Sequence, residues 1–481
     1  MSHNGIREYI SVLEKKGMLR RITTEVDKDW QISCVCRWMY QALPESERFG
    51  MLFETVKGFN FPVAVALYAS QDIYATALGT TREGIGSKWL NASKNPIKPK
   101  KVTSGPVQEI VKVKEDVNLL EIPIPVWTPK KDANPYITAG LIITKDLDTG
   151  IQNVGTYRCM IKSKNRIGVN IKPKKHIGIH YQKYEEKSVS MPIAIAIGAD
   201  PAVCLTSVAR VPQDVDELDV AGGLKGEPVE TVKGKTVDLQ VPAHAEFIIE
   251  GEVPSGIREK EGPFGEFTGY MGVEHPAPII DVKCITHRKN PIYHAYISQM
   301  TPSESSVIQR LGNAGVLYKT LVHDLKESSV KDVYFTEMSG SYGTILIQMK
   351  PQYPGHSKKV AELAADQQYV KIVTVVDEDI DIRDPNQIDW AINYRVNPAR
   401  DITILRKPNW AYLSMDPSTG GKQSLGSKVI IDSTNWDKNA FPEISLPKKE
   451  DMYKALECWK EFGLPPIKVP KKTKLFLEKY P

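Results

Sequence analysis

Ile6, Tyr9, Ile10 and Leu13 recur at spacings of three and four, so residues 5–20 read as an amphipathic helix that Gly17 stops. A strand over 21–26, a helix over 30–43 and a short strand over 61–68 follow, the mixture of an α/β domain. Between about 115 and 310 the period changes. Short alternating runs at 139–144, 153–161, 167–171, 193–197, 246–249, 279–286 and 292–297 are punctuated by Gly, Pro, Asp and Lys. That pattern predicts a β-rich barrel or sandwich. Beyond 310 helix and strand alternate again, with a periodic segment over 307–325, strands at 333–335, 343–349 and 370–376, and helices over 357–366 and 387–393. A helix over 448–462 and a basic, proline-containing tail complete the chain. The expected fold class is α+β: an N-terminal α/β domain (1–112), a central β-barrel domain (113–312), a C-terminal α/β domain (313–447), and a helix with tail (448–481). Residues 91–104, with Lys94, Lys98, Lys100, Lys101 and two prolines, read as an exposed linker.

Composition narrows the function classes. A length of 481 residues suits two to four domains with sizeable cores. The 63 basic and 58 acidic residues leave a formal charge of only +5, which gives no footing for nucleic-acid binding. No apolar run approaches the roughly 20 residues of a membrane span. The opening Met-Ser-His-Asn-Gly-Ile-Arg-Glu lacks the apolar centre of a secretion signal. The six cysteines, 34, 36, 159, 204, 284 and 458, show no CxxC spacing, so reduced thiols and a cytoplasmic location are expected.

The stretch Glu261-Gly-Pro-Phe-Gly-Glu266-Phe-Thr-Gly-Tyr270 carries the candidate chemistry. Extended, five residues would separate its two carboxylates by up to ~17 Å. The glycines and Pro263 allow a bend that brings both acids to one cavity, where paired carboxylates titrate apart and one can hold a proton. Upstream, Asn153-Val-Gly-Thr-Tyr-Arg158 offers an amide and a guanidinium on one predicted strand, the latter suited to bidentate carboxylate or phosphate recognition. His176, Glu217 and Lys428, in a Gly-Ser-Lys loop before a strand, are further isolated candidates.

In order and approximate spacing, Asn153/Tyr157/Arg158, His176, Glu217, the Glu-Gly-Pro-Phe-Gly-Glu stretch, Arg395 and Gly-Ser-Lys428 resemble the UbiD family of reversible decarboxylases. The resemblance spans almost the whole chain. It implies a central split β-barrel related to flavin reductases, a C-terminal domain that makes a homodimer or hexamer, and a prenylated FMN supplied by a flavin prenyltransferase. It implies a divalent cation (Mn²⁺, or Mg²⁺) on Asn153, His176 and Glu217, with K⁺ beside it, a set whose N/O chemistry suits a hard cation. The cofactor set it implies is Asn153, Thr156, Tyr157, Arg158, Lys175, His176, Glu217 and Lys428. Arg158, Glu261 and Glu266 would be catalytic, Glu266 as proton donor. Two residues depart from the pattern: Val154 stands where many members carry an aromatic, and Lys175 adds charge beside the metal histidine. The implied reaction is loss of CO₂ from an aromatic or α,β-unsaturated acid. Three other readings compete: a carboxylase using the site in reverse on a phenol or phenyl phosphate, a glycosidase using the two glutamates, and a non-catalytic cofactor-binding or assembly subunit.

Overall fold

The computed structural model describes residues 3–209, 211–367, 369–411, 425–435, 441–442 and 444–479. Two compact units result, Met1–Leu311 and Gly312–Pro481, with the division falling inside the helix Glu304–Tyr318.

In the first unit the helix Ile6–Lys15 buries the four predicted apolar residues. Each contributes roughly 1.5–3 kcal/mol relative to exposure if a large aliphatic side chain is the guide. The neighbouring sheet runs in the order Leu19–Ile22, Gly50–Phe53, Val63–Val65, Tyr293–Ala295. Its last strand comes from the far end of the unit and pairs in parallel with Val63–Val65. A single apolar cluster accordingly reaches from Ile6 to Ile308, and the expected 1–112 and 113–312 parts share it.

The main sheet of this unit is antiparallel in every pairing. Its order is Tyr136–Ile137, Cys159–Ser163, Arg166–Val169, His275–His287, Phe247–Val253, Met191–Ile197, Leu141–Lys145, Gln152–Thr156. Ile110–Val113 and Arg258–Glu261 add to the long strand His275–His287. The hydrogen-bonded order has two free ends, as a split barrel requires. Ile193–Ile197 are buried without alternation, because the helix His176–Glu186 covers the face that a solvated sheet would leave to polar residues.

Three expectations need correction here. Residues 153–161 are two strands, Gln152–Thr156 and Cys159–Ser163, so Tyr157 and Arg158 sit at the break between them. The predicted β-rich region also holds the helices His176–Glu186, Pro201–Thr206 and Glu217–Lys225. The 91–104 linker contains the end of a helix (Ile85–Lys94) and a short strand, Lys100–Lys101, paired in parallel with Glu230–Thr231.

The second unit is a five-stranded sheet in the order Val330–Phe335, Thr344–Met349, Ile372–Val376, Leu425–Ser433, Ile402–Ala411, parallel at its two central pairings. Helix His356–Ala365 packs on it. Arg395 is buried between Asp377 (3.2 Å) and Asp379 (2.6 Å). The C-terminal helix spans Lys449–Glu461 with no buried residue, and the tail forms a further helix, Lys471–Lys479. Tyr480 and Pro481 lie outside the described residues.

Candidate active site

The strand Arg258–Glu261 pairs Glu261 with His275, and Phe264–Gly265 then pairs with Met271–Gly272. The chain reverses between them at Gly262, whose φ of +89° strains any side-chain-bearing residue and whose Cβ would lie 3.0 Å from the Val273 carbonyl. The amide of Gly262 donates to the Tyr136 hydroxyl (3.2 Å), and that of Gly265 to Asp132 (3.0 Å). Asp132 also accepts from the amides of Trp127 and Thr128, so one carboxylate ties the bend to the loop opposite.

This bend delivers both glutamates to Arg158. Glu261, with no exposed side-chain area, takes the guanidinium bidentately, Nε to Oε1 at 2.9 Å and Nη2 to Oε2 at 2.8 Å. The remaining arm, Nη1, donates to Glu266, whose side chain is one-third exposed. The Phe264 ring lies under the guanidinium at 5.0 Å and meets the Tyr136 ring at 4.3 Å, tilted by 44°. Asn170, with its amide oxygen facing the arginine, accepts from Nη2 at 3.1 Å and Nε at 3.3 Å. His275 Nε2 stands 3.5 Å from the other side of Glu261. Burial opposes the charge on Arg158, but its bonds to Glu261 and the field of both glutamates outweigh it and raise the pKa. Burial, then the Glu261 charge, pushes the Tyr136 hydroxyl upward, so it stays protonated.

Glu266 opens onto a cavity of about 300 Å³, the small end of the range for ligand sites and of a size for a ring-bearing acid. Its walls include Trp127, Lys131, Gln299 and Met300, and Arg37 and Trp38 from the helix Gln31–Ala42. That helix turns Ile32, Cys36, Met39 and Tyr40 to the core and leaves the opposite face to the cavity. Cys36 is buried in the core, whereas half-buried Cys34 lines the cavity.

The Asn153, His176 and Glu217 side chains meet from a strand and the first residues of two helices. His176 Nδ1 is 3.1 Å from Asn153 Oδ1 and 3.7 Å from Glu217 Oε1, while Glu217 Oε2 accepts the Val154 amide at 2.8 Å. Asn153 Nδ2 is buried with no partner among the described residues. An imidazole, a carboxylate and an amide oxygen this close suit an oxygen-preferring divalent cation, and the orphaned donor suits an anionic oxygen beside it. Among the described residues no group of three or more His, Cys, Asp or Glu side chains could hold a metal, and this set has only two such residues plus the amide. Next to it Thr156 pairs with Ser207 through both hydroxyl (2.7 Å) and amide (3.0 Å). The Tyr157 ring packs against the bare Cα of Gly155, and Lys175 is exposed one residue before His176.

Lys428 departs from expectation. It lies inside the strand Leu425–Ser433, not in a loop before it, and its buried ammonium donates to the carbonyls of Ala365 and of Gln367 (3.0 Å) within the second unit. Carbonyls that accept the ammonium's hydrogen bonds in this way support a structural role for it. The approach of the two glutamates was legible from the motif, and the family resemblance grouped Arg158 with them. Asn170, His275, Tyr136, Arg37 and Gln299 carry no local signature, and only the fold brings them here.

Comparison with known proteins gives the family of the chain. Models of 3-octaprenyl-4-hydroxybenzoate carboxy-lyase match in order: the N-terminal domain over residues 10–93, the Rift-related domain over 99–301 and the C-terminal domain over 313–433. By class the protein is a carboxy-lyase. The chain belongs to the UbiD family. It is 35% identical over 458 residues to an uncharacterized protein of Synechocystis sp., covering 89% of each chain. An evolved dimeric form of the UbiD-class enzyme HmfF from Pelotomaculum thermopropionicum, in complex with prenylated FMN, is 34% identical with a TM-score of 0.81 over 92% of this chain and 97% of that one. The vanillic acid decarboxylase of Sedimentibacter hydroxybenzoicus is 29% identical with a TM-score of 0.82, over 96% and 99%.

Proposed function

We propose that this protein catalyses the non-oxidative, reversible decarboxylation of an aromatic or α,β-unsaturated carboxylic acid, using prenylated FMN. The observation that carries the reading is the single guanidinium of Arg158 shared between a buried Glu261 and a Glu266 that faces a ring-sized cavity. The HmfF complex with prenylated FMN and the likeness to a vanillic acid decarboxylase support the cofactor and the substrate class.

When bound, the cofactor supplies the electron sink that the carbon losing CO₂ requires. The chain's own residues bind, orient and move the proton. Asn153, His176 and Glu217 would hold Mn²⁺ or Mg²⁺, with K⁺ beside it, against the cofactor phosphate, and Thr156, Tyr157 and Lys175 border the same place. Lys428 is left out of that set, because carbonyls of its own unit take its protons. Glu261 fixes the plane of Arg158, so the Nη1 arm is the one a substrate carboxylate competes for. Once displaced, Glu266 is free in the cavity to carry a proton drawn from solvent. It then delivers that proton to the carbon that loses CO₂. In the reverse direction it removes the proton, so the same residues serve carboxylation.

A flavin prenyltransferase supplies the cofactor in this reading, and the protein works as a homo-oligomer, dimer or hexamer, in the cytoplasm. Among the described residues no helix is long and apolar enough to cross a membrane. Protein co-produced with such a prenyltransferase should release CO₂ from members of a panel of aromatic and unsaturated acids. It should also exchange solvent deuterium into the corresponding products. A panel that gives neither CO₂ nor exchange would contradict the proposal.

A further inference from the structure

Residues 127–133 form a loop that faces the bend carrying Glu266. The amides of Lys131 (3.0 Å) and Asp132 (2.9 Å) both donate to the Thr128 carbonyl, which folds the loop into a turn. Trp127, Thr128 and Lys131 line one side of the cavity, and Gly265 and Glu266 line another. Asp132 stands between the two, half-buried. Its Oδ2 accepts from the amides of Trp127 (3.1 Å) and Thr128 (2.6 Å), and its Oδ1 from that of Gly265 (3.0 Å). The Ala133 amide adds a bond to the Pro263 carbonyl at 3.0 Å. Loop and bend are in close contact: a Cβ on Gly265 would lie 2.5 Å from the Thr128 hydroxyl oxygen.

The residue type follows from this geometry. Donors reach the side chain from two elements at once, so both of its oxygens must accept. A carboxylate does that. Asparagine, of the same shape, has one acceptor and would turn its NH₂ group on an amide donor. The acid is kept although burial pushes its pKa up, which the bonds from the Thr128, Gly265 and Trp127 amides offset only in part. The amide that Asp132 holds is the one immediately before Glu266. Glu266 is itself fixed on its other sides. Its amide donates to the Tyr270 carbonyl at 2.9 Å, its carbonyl accepts the Gly269 (3.0 Å) and Met300 (3.2 Å) amides, and its carboxylate accepts from Arg158. A shift of Gly265 therefore passes directly to the Glu266 side chain.

We propose that Asp132 is a positioning residue for the proton step: by accepting amides from the loop and the bend together, it sets where the Glu266 carboxyl stands relative to the cavity wall opposite. It acts through Gly265 and transfers no proton itself. The proposal rests on the decarboxylase reading for the reaction.

The test compares flavin-loaded wild type, Asp132→Asn and Gly265→Ala. The second change is made on the other element and pushes loop and bend apart. Amide hydrogen exchange, read by mass spectrometry, should speed up in both variants over residues 127–133 and 262–270. Solvent deuterium entering the product carbon is then measured over a range of product concentrations. Its maximal rate should fall about tenfold or more in both variants, since a misplacement of about 1 Å can cost roughly 10²-fold. Flavin content and the half-saturating concentration should stay close to wild type, a split that general loosening of the fold would not produce. Either variant decides alone if the other does not load flavin. A wild-type maximal rate in the variants, or a loss that merely follows flavin content and half-saturation, would overturn the inference and leave the decarboxylase reading standing. A wild type that exchanges no deuterium would overturn both.

Discussion

Arg158 serves two carboxylates, and it serves them unequally. Glu261 has the bidentate grip and no exposure, whereas Glu266 has one arm and faces the cavity. The first pair is therefore structural. Arg158→Met should leave a buried Glu261 charge without its partner and destabilise the fold by roughly 3–5 kcal/mol, read as a lower urea midpoint at an unchanged slope. Arg158→Lys keeps the charge but loses the planar fork, so it should retain flavin and lose most turnover. Wild-type turnover in that variant would remove Arg158 from the reaction. At this scale the sequence was most informative where the motif was local. Glu261 and Glu266 lie five apart around a forced bend, and their partnership could be read directly. Asn170 and Gln299 are ordinary amides whose importance depends on which side chain stands opposite, and the sequence carries no such record.

Elements set the geometry of the Asn153/His176/Glu217 cluster. His176 is the first residue of its helix, and Glu217 follows an Asp216 cap that accepts the Leu218 amide at 2.9 Å. These helices went unread because their apolar residues are few and interrupted by glycine. The signal was in the punctuation: an aspartate cap before Glu217 and a left-handed Gly226 after Lys225 mark both ends of the second helix. Because three elements converge, loss of one side chain should leave the others in place. His176→Ala and Glu217→Ala are expected to fold normally, by circular dichroism, and to purify with little flavin. Treatment with a chelator should likewise strip flavin from the wild type. Full flavin occupancy in both variants would contradict the cluster's assignment.

Over the whole molecule, the α+β class and the β-rich middle of the chain were legible, while the helices inside that middle and the sharing of one core were not. The strand Tyr293–Ala295 completes a sheet begun by Leu19–Ile22, a pairing no local pattern announces. The same folding back buries Glu304, which accepts amides from Ala66 (3.1 Å) and Tyr68 (2.9 Å). Burial nevertheless raises its pKa from 4.5 to about 8. Between those values the folded state holds a proton that the unfolded chain has lost, so this group makes stability fall as pH rises through the window. Glu304→Gln should flatten that slope in a series of urea titrations between pH 5 and 8; an unchanged slope would place the titration elsewhere.

Under the proposed mechanism Glu266 moves the proton at the carbon that gains or loses CO₂. Glutamine keeps its shape and its bond to Arg158 but cannot exchange a proton. The direct measurement is solvent deuterium entering the product carbon, followed by NMR, with flavin-loaded Glu266→Gln beside wild type. General acid catalysis typically contributes about 10²- to 10⁴-fold, so exchange in the variant should fall by at least that lower bound while flavin content is unchanged. Exchange at the wild-type rate in a fully flavin-loaded Glu266→Gln would contradict the claim and pass the role to another group, with Glu261 the first to examine.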